Sequence, residues 1–178
     1  LLALLPHVDA MNVDIKAFSD EVYRKHIGAR LQPVLDACVG LKKAGVWLEI
    51  TTLLIPGLND DEQQLRGLTQ FIVRELGADT PWHVSRFFPQ HKYQNVEATG
   101  LASIEKALEI GKAEGLKYTY AGNVAGSADT YCPHCGEVLI ERSGMSVFSN
   151  HIKMPALCPK CGTSIAGVGL SFDEVALI

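Results

Sequence analysis

The chain has no apolar run long enough to span a bilayer, no excess of positive charge and no glycine-rich phosphate loop, and each absence removes a class of function. A membrane-spanning helix needs about 20 consecutive apolar residues. The opening Leu1-Leu2-Ala3-Leu4-Leu5 stops at Pro6 and has no basic leader, so it reads neither as such a helix nor as a signal peptide. A cytoplasmic location without a membrane partner is the expectation. Sixteen Lys and Arg against 20 Asp and Glu give a formal charge of -4, which argues against a general polyanion-binding surface and against nucleic acid as a partner. Gly122-Asn123-Val124-Ala125-Gly126 follows a strand-like run but lacks dinucleotide spacing, and neither a Ser nucleophile elbow nor a metalloprotease helix occurs. The chain also begins without Met, directly in apolar sequence, and is expected to continue a longer protein.

Cysteine is scarce, and four of the five are concentrated in two knuckles, Cys132-Pro133-His134-Cys135-Gly136 and Cys158-Pro159-Lys160-Cys161-Gly162, with 22 residues between them. Each Cys-x-x-Cys turn offers two soft donors, and two such turns complete a tetrahedral site for one divalent ion. Glycine after each second Cys lets the backbone turn in without a side chain interfering. Residues 131–168 therefore read as a zinc ribbon. Two disulfides would need an oxidising compartment, of which the sequence gives no other sign. A rubredoxin-like iron site would use the same spacing. Zinc is preferred because the chain, 7% aromatic, lacks dense aromatic packing around such an iron. His134 and His151 read as surface residues, since four thiolates saturate the ion. Arg142, Lys153 and Lys160 are mixed with Glu137 and Glu141, a weak basis for binding nucleic acid. The fifth cysteine, Cys38, sits among Val34, Leu35 and Leu41 and reads as a small buried hydrophobe rather than a nucleophile.

Upstream of the ribbon, strand-like and helical runs alternate. Strands are expected over 11–16, 46–54, 82–88 and 116–121, and helices over 20–25, 31–44, 61–76 and 101–114, with Asn59 or Asp60 capping the third helix and 122–129 as a linker. Alternation at this spacing specifies a parallel α/β sheet, either doubly wound or part of a barrel. Parallel strands are usually apolar on both faces, whereas several here alternate. Asp14 and Lys16, Glu49 and Thr51, and His83 and Ser85 each share a face of their strand. Turned into a barrel they would line one polar cavity, where buried charges imply a ligand or catalytic need. Arg86 has the wrong parity to join them. His7, His26 and His91 look isolated, with His91 alone placed near the expected site.

The segments Val13-Asp14-Ile15-Lys16-Ala17-Phe18 and Val46-Trp47-Leu48-Glu49-Ile50-Thr51-Thr52-Leu53-Leu54-Ile55-Pro56-Gly57-Leu58-Asn59-Asp60 resemble later barrel strands of radical S-adenosylmethionine (SAM) enzymes related to pyruvate formate-lyase activating enzyme. Trp82-His83-Val84-Ser85-Arg86-Phe87-Phe88-Pro89, Tyr120-Ala121-Gly122-Asn123-Val124 and the CPHCG…CPKCG ribbon resemble, within that superfamily, the AmmeMemoRadiSam-system radical enzyme. The resemblance implies an α/β fold: the carboxy-terminal part of a partial (β/α)6 TIM-like barrel over 1–125, then a small β-rich zinc ribbon and tail over 126–178. It implies SAM and a 4Fe-4S cluster as cofactors, and reductive cleavage to a 5′-deoxyadenosyl radical that abstracts hydrogen from a substrate. Asp14 and Lys16 would hold the methionyl part of SAM, with Glu49, Thr51, His83 and Ser85 lining the same cofactor cavity. Memo-like and AMMECR-like proteins, and a reductant such as flavodoxin or ferredoxin, are the implied partners. The sequence departs from the family in lacking its cluster-binding Cys-x-x-x-Cys-x-x-Cys, and the four ribbon thiolates would leave no open iron for SAM. The chain is therefore expected to be a carboxy-terminal part, inactive alone. The alternative is a non-catalytic zinc-ribbon module that binds a protein or nucleic acid.

Overall fold

The computed structural model describes residues 5–126, 128–144 and 146–170. The leucine run before Leu5 and the tail after residue 170 lie outside the described residues. The chain forms two compact units, Leu1–Val124 and Ala125–Ile178.

In the first unit β1 (Ala10–Asp14), β2 (Trp47–Leu54), β3 (Trp82–Arg86) and β4 (Thr119–Gly122) make one sheet in that order. Every neighbouring pair is parallel. Among the described residues the order never reverses, so these four strands contain no topological switch point of the doubly wound kind. Between the strands run α1 (Asp20–Val22), which continues as a π turn through Ile27, α2 (Leu31–Lys43), α3 (Glu62–Phe71), which continues as a π turn through Leu76, and α4 (Leu101–Ala113).

Helical spacing explains how the crossovers cover the sheet. Leu31, Leu35, Cys38 and Leu41 of α2 recur every three or four residues and are buried, as are Leu65, Leu68 and Ile72 along α3 and its extension. They pack with Ile104, Ala107 and Ile110 of α4 against Leu48, Ile50, Leu54, Trp82 and Val84 of the strands. The largest of these, Trp82, is fully buried and donates its indole N–H to Thr52 Oγ1 at 3.1 Å, while Thr52 Oγ1 donates to the Ile15 carbonyl at 3.0 Å. β2, β3 and the segment just after β1 are thus tied together by groups that would otherwise be buried without partners.

The third helix is capped by Asp61, whose carboxylate accepts from the Gln64 amide at 2.9 Å, and not by Asn59 or Asp60. Asn59 is buried because it has another task. Its Oδ1 accepts from the Ile55 amide at 2.7 Å, and its Nδ2 donates to the carbonyls of Lys16 at 2.6 Å and Leu53 at 2.8 Å. One amide side chain therefore fixes the carboxyl ends of β1 and β2 to each other.

The second unit is an antiparallel sheet of β5 (Thr130–Tyr131), β6 (Val138–Ser143) and β7 (Ser146–Asn150). Its core is aliphatic, built from Leu139, Ile140 and Ile165 against Cys132 and Cys158.

Candidate functional site

Two sites emerge, one in each unit. In the second, the sulfurs of Cys132, Cys135, Cys158 and Cys161 all lie within 4.8 Å of one another. Cys132 and Cys161 are 3.6 Å apart, as are Cys135 and Cys158, so each close pair joins one knuckle to the other. Zinc–sulfur bonds of about 2.3 Å place the corners of a tetrahedron about 3.8 Å apart, so the site suits a single ion. The knuckles match in detail. The Gly136 amide donates to the Cys132 carbonyl at 2.9 Å and the Gly162 amide to the Cys158 carbonyl at 3.0 Å, with φ of 71° and 73°. Those left-handed angles, rather than lack of space, require glycine at both positions. Hydrogen bonding with Thr163 brings the Cys161 thiol down to about 5, whereas Cys135, despite the Glu137 amide, is pushed up to about 12 by desolvation and the neighbouring thiols. A cation would draw all four into the thiolate form. His134 is exposed, and His151 is about half exposed with its Nε2 3.5 Å from Glu141 Oε2.

In the first unit the face of the sheet turned away from the helices carries the polar residues. Register places Asp14, Thr51, His83 and Tyr120 in one row across all four strands, with Asn12 beside Glu49 one row below and Ser85 beside Gly122 one row above. All six candidates from the sequence come to this face or its carboxyl edge. Lys16 lies beyond the end of β1 rather than within it. Its amide donates to the buried Tyr23 hydroxyl at 3.0 Å and its carbonyl accepts from Asn59, so its backbone is held at both ends. Burial holds the Tyr23 phenol above its ordinary value and keeps it neutral.

The expected buried charges are not buried. Lys16 Nζ donates to Asp14 Oδ2 at 2.8 Å with the side chains 43% and 49% exposed, and Glu49 and His83 are about one-third exposed. This unit leaves that face of its sheet open, so water solvates these groups, and a desolvation argument for function does not apply.

Sequence reasoning missed how the groups connect. Glu49 Oε1 accepts from the Trp47 indole at 3.1 Å, and its Oε2 lies 2.8 Å from His83 Nε2. The His83 ring stacks on Tyr120 at 5.0 Å and 19°. Thr51 Oγ1 donates to Asn12 Oδ1 at 3.0 Å. Alternation of side chains identified the face, but only register shows that Glu49 reaches diagonally to His83. Arg86 stays off this face and donates to the Thr99 carbonyl at 2.6 Å, its guanidinium 4.8 Å from the Phe88 ring. His26 is not isolated, since its Nδ1 lies 2.7 Å from the Tyr93 hydroxyl. His91 is exposed in a short 3-10 turn.

The chain's own residues fit the two implied cofactors unequally. Lys16 and Asp14 present an accessible cation and anion on a fixed backbone, suited to a ligand carrying a carboxylate and a positive centre. A 4Fe-4S cluster finds no place. Four of the five cysteines converge on a single-ion site, and Cys38 is buried in α2 with its thiol pushed up to about 11 by desolvation.

No family model matches the chain. It is 47% identical over 143 residues to the uncharacterised protein MJ0808 of Methanocaldococcus jannaschii, an alignment covering 79% of this chain and 42% of that protein. The chain thus spans less than half the length of this relative. Among solved structures it is similar to a domain of pyruvate-formate lyase-activating enzyme from Bacteroides vulgatus, with a TM-score of 0.57 and 17% identity over 67% of this chain and 71% of that one. It is also similar to a radical SAM methyltransferase from Sphaerobacter thermophilus, with a TM-score of 0.50 and 17% identity over 66% of this chain and 37% of that one. The chain shares its fold with these two proteins.

Proposed function

We propose that this chain is the carboxy-terminal part of a cytoplasmic radical SAM enzyme of the AmmeMemoRadiSam kind, contributing the carboxy-terminal part of a partial (β/α)6 TIM-like barrel and a structural zinc ribbon. The observation that carries the reading is the polar row across an all-parallel sheet whose helices pack on the other face, in a fold shared with a pyruvate-formate lyase-activating enzyme domain and a radical SAM methyltransferase. The cluster ligands then belong to sequence outside these 178 residues, in keeping with a relative of which the alignment covers 42%. Bound SAM would supply the sulfonium carbon that becomes the 5′-deoxyadenosyl radical. Asp14 and Lys16 would hold its methionyl end, the Lys16 ammonium pairing with the cofactor's carboxylate and the Asp14 carboxylate balancing the positive sulfur. Thr51 and Ser85 line the same cavity beside Glu49 and His83. A flavodoxin- or ferredoxin-like reductant and Memo-like or AMMECR-like proteins are the partners that the reading requires or suggests.

The four-thiolate site takes zinc and braces the ribbon. The alternative, a zinc-ribbon module without catalytic function, draws on the absence of cluster ligands from the chain. SAM binding by isothermal calorimetry separates the two, measured on this chain and on the longest natural form that contains it. Asp14→Ala and Lys16→Ala are each expected to weaken binding about tenfold or more, the loss of a charge-assisted contact worth about 1.5–3 kcal/mol. Unchanged affinity in both variants removes the roles assigned to them, and no SAM binding by either form favours the module.

A further inference from the structure

Glu49 and His83 are joined in a way that a cofactor pocket alone does not call for. A carboxylate only accepts, so the 2.8 Å contact puts a proton on His83 Nε2, and in the neutral imidazole it is then Nδ1 that carries the lone pair. The carboxylate is itself aligned by the Trp47 indole at 3.1 Å, and stacking on Tyr120 sets the plane of the imidazole. An imidazole whose tautomer and orientation are fixed by a carboxylate, on an accessible face, is the arrangement in which histidine acts as a base. In register, His83 stands level with Asp14 but two strands away. Strand spacing makes that about 10 Å, enough for a second molecule beside one held by Asp14 and Lys16.

We propose that His83 is a general base for the substrate, with Glu49 as its positioning residue, and that the substrate presents an O–H or an acidic C–H bond to it. In the step, that bond breaks, its electrons stay on oxygen or carbon, and the proton passes to Nδ1 of His83, making the imidazolium that Glu49 stabilises. The assignment rests on reading this face as the reaction cavity, but the base itself needs neither iron nor SAM. It can therefore be tested on the chain as it stands.

The probe is 5-nitrobenzisoxazole, a flat aromatic that a base opens by removing its C3 proton as the N–O bond breaks, giving a nitrile and a coloured phenolate. The chain is expected to open it faster than an equal concentration of free imidazole. His83→Ala should lower the rate about a hundredfold, toward the lower end of what a positioned base contributes, and added imidazole should restore part of the loss. Glu49→Gln should lower kcat about tenfold with KM little changed, and Glu49→Asp should recover part of it. Equal rates for the wild-type chain and His83→Ala, with both folded by circular dichroism, would overturn the proposal. So would a Glu49→Gln variant that keeps full kcat. Calorimetry with SAM on the same proteins keeps the two readings apart, since a wild-type chain that binds SAM but opens the probe no faster than free imidazole strikes only the His83 assignment.

Discussion

Removing the metal should unfold the ribbon and leave the parallel sheet standing. Leu139, Ile140 and Ile165 are its buried aliphatic residues, and at about 1.5–3 kcal/mol each they contribute less than about 9 kcal/mol. A structural zinc in small cysteine-rich domains contributes about 10–16 kcal/mol at neutral pH. An ion held by the four thiolates would therefore outweigh the core around it, and without one the ordering of some 40 residues would have too little to offset its entropy. The amides of Gly136 and Gly162, bonded to the first cysteine of each knuckle, should be protected from hydrogen exchange only while metal is bound. Those of Ile50 and Trp82, bonded within the sheet to the carbonyls of Pro81 and Tyr118, should stay protected throughout.

The assay is hydrogen exchange read by nuclear magnetic resonance, before and after a strong zinc chelator, with the released metal identified by mass spectrometry. Cys132→Ser should reproduce the chelated state, because a hydroxyl replaces one of four soft ligands and opens the tetrahedron. Gly136 and Gly162 amides that remain protected in metal-free protein would refute the reasoning, since the fold would then survive on its aliphatic core. Release of iron in place of zinc would leave the stability argument standing and correct the choice of metal.

The Asp61 cap carries a pH signature. Its carboxyl is held below the usual carboxylate range chiefly by the Gln64 amide, so its contribution is present above the unfolded value near 3.9 and is lost as pH falls through the lower folded value. Asp61→Ala should cost about 1 kcal/mol at neutral pH, and the gap from wild type should close under acid in urea titrations below about pH 4. At Gly122 an added Cβ would lie 2.6 Å from Ser85 Oγ. Gly122→Ala should destabilise by about 1–3 kcal/mol, as overpacking does. The double variant with Ser85→Ala should recover most of that in thermal melts, because removing Oγ leaves the nearest atoms at 3.3 and 3.4 Å.

Alternation and punctuation made most of the first unit readable before its structure was known. Glu49 and Thr51 in β2, and His83 and Ser85 in β3, stand two residues apart, so each pair shares one face of its strand and that membership followed from period alone. The thiolate site was legible for a related reason, since a Cys-x-x-Cys turn carries its geometry within itself. What stayed hidden depended on contacts between segments far apart in sequence. Asn59 looked like a helix cap because asparagine ahead of a helical run usually is one, but its amide is claimed by carbonyls 43 and 6 residues away.

The pairing of Glu49 with His83 shows the same limit at the site itself. A separation of 34 residues carries no local signal, and the register that joins them is set by Trp82, whose burial and bond to Thr52 fix how β3 lies against β2. A shift of β3 by one residue would turn His83 toward the helices and bury it, and would expose Trp82. The large apolar side chain on one face thus decides which polar groups meet on the other. The chemistry proposed for His83 depends on a packing contact that touches neither ring nitrogen.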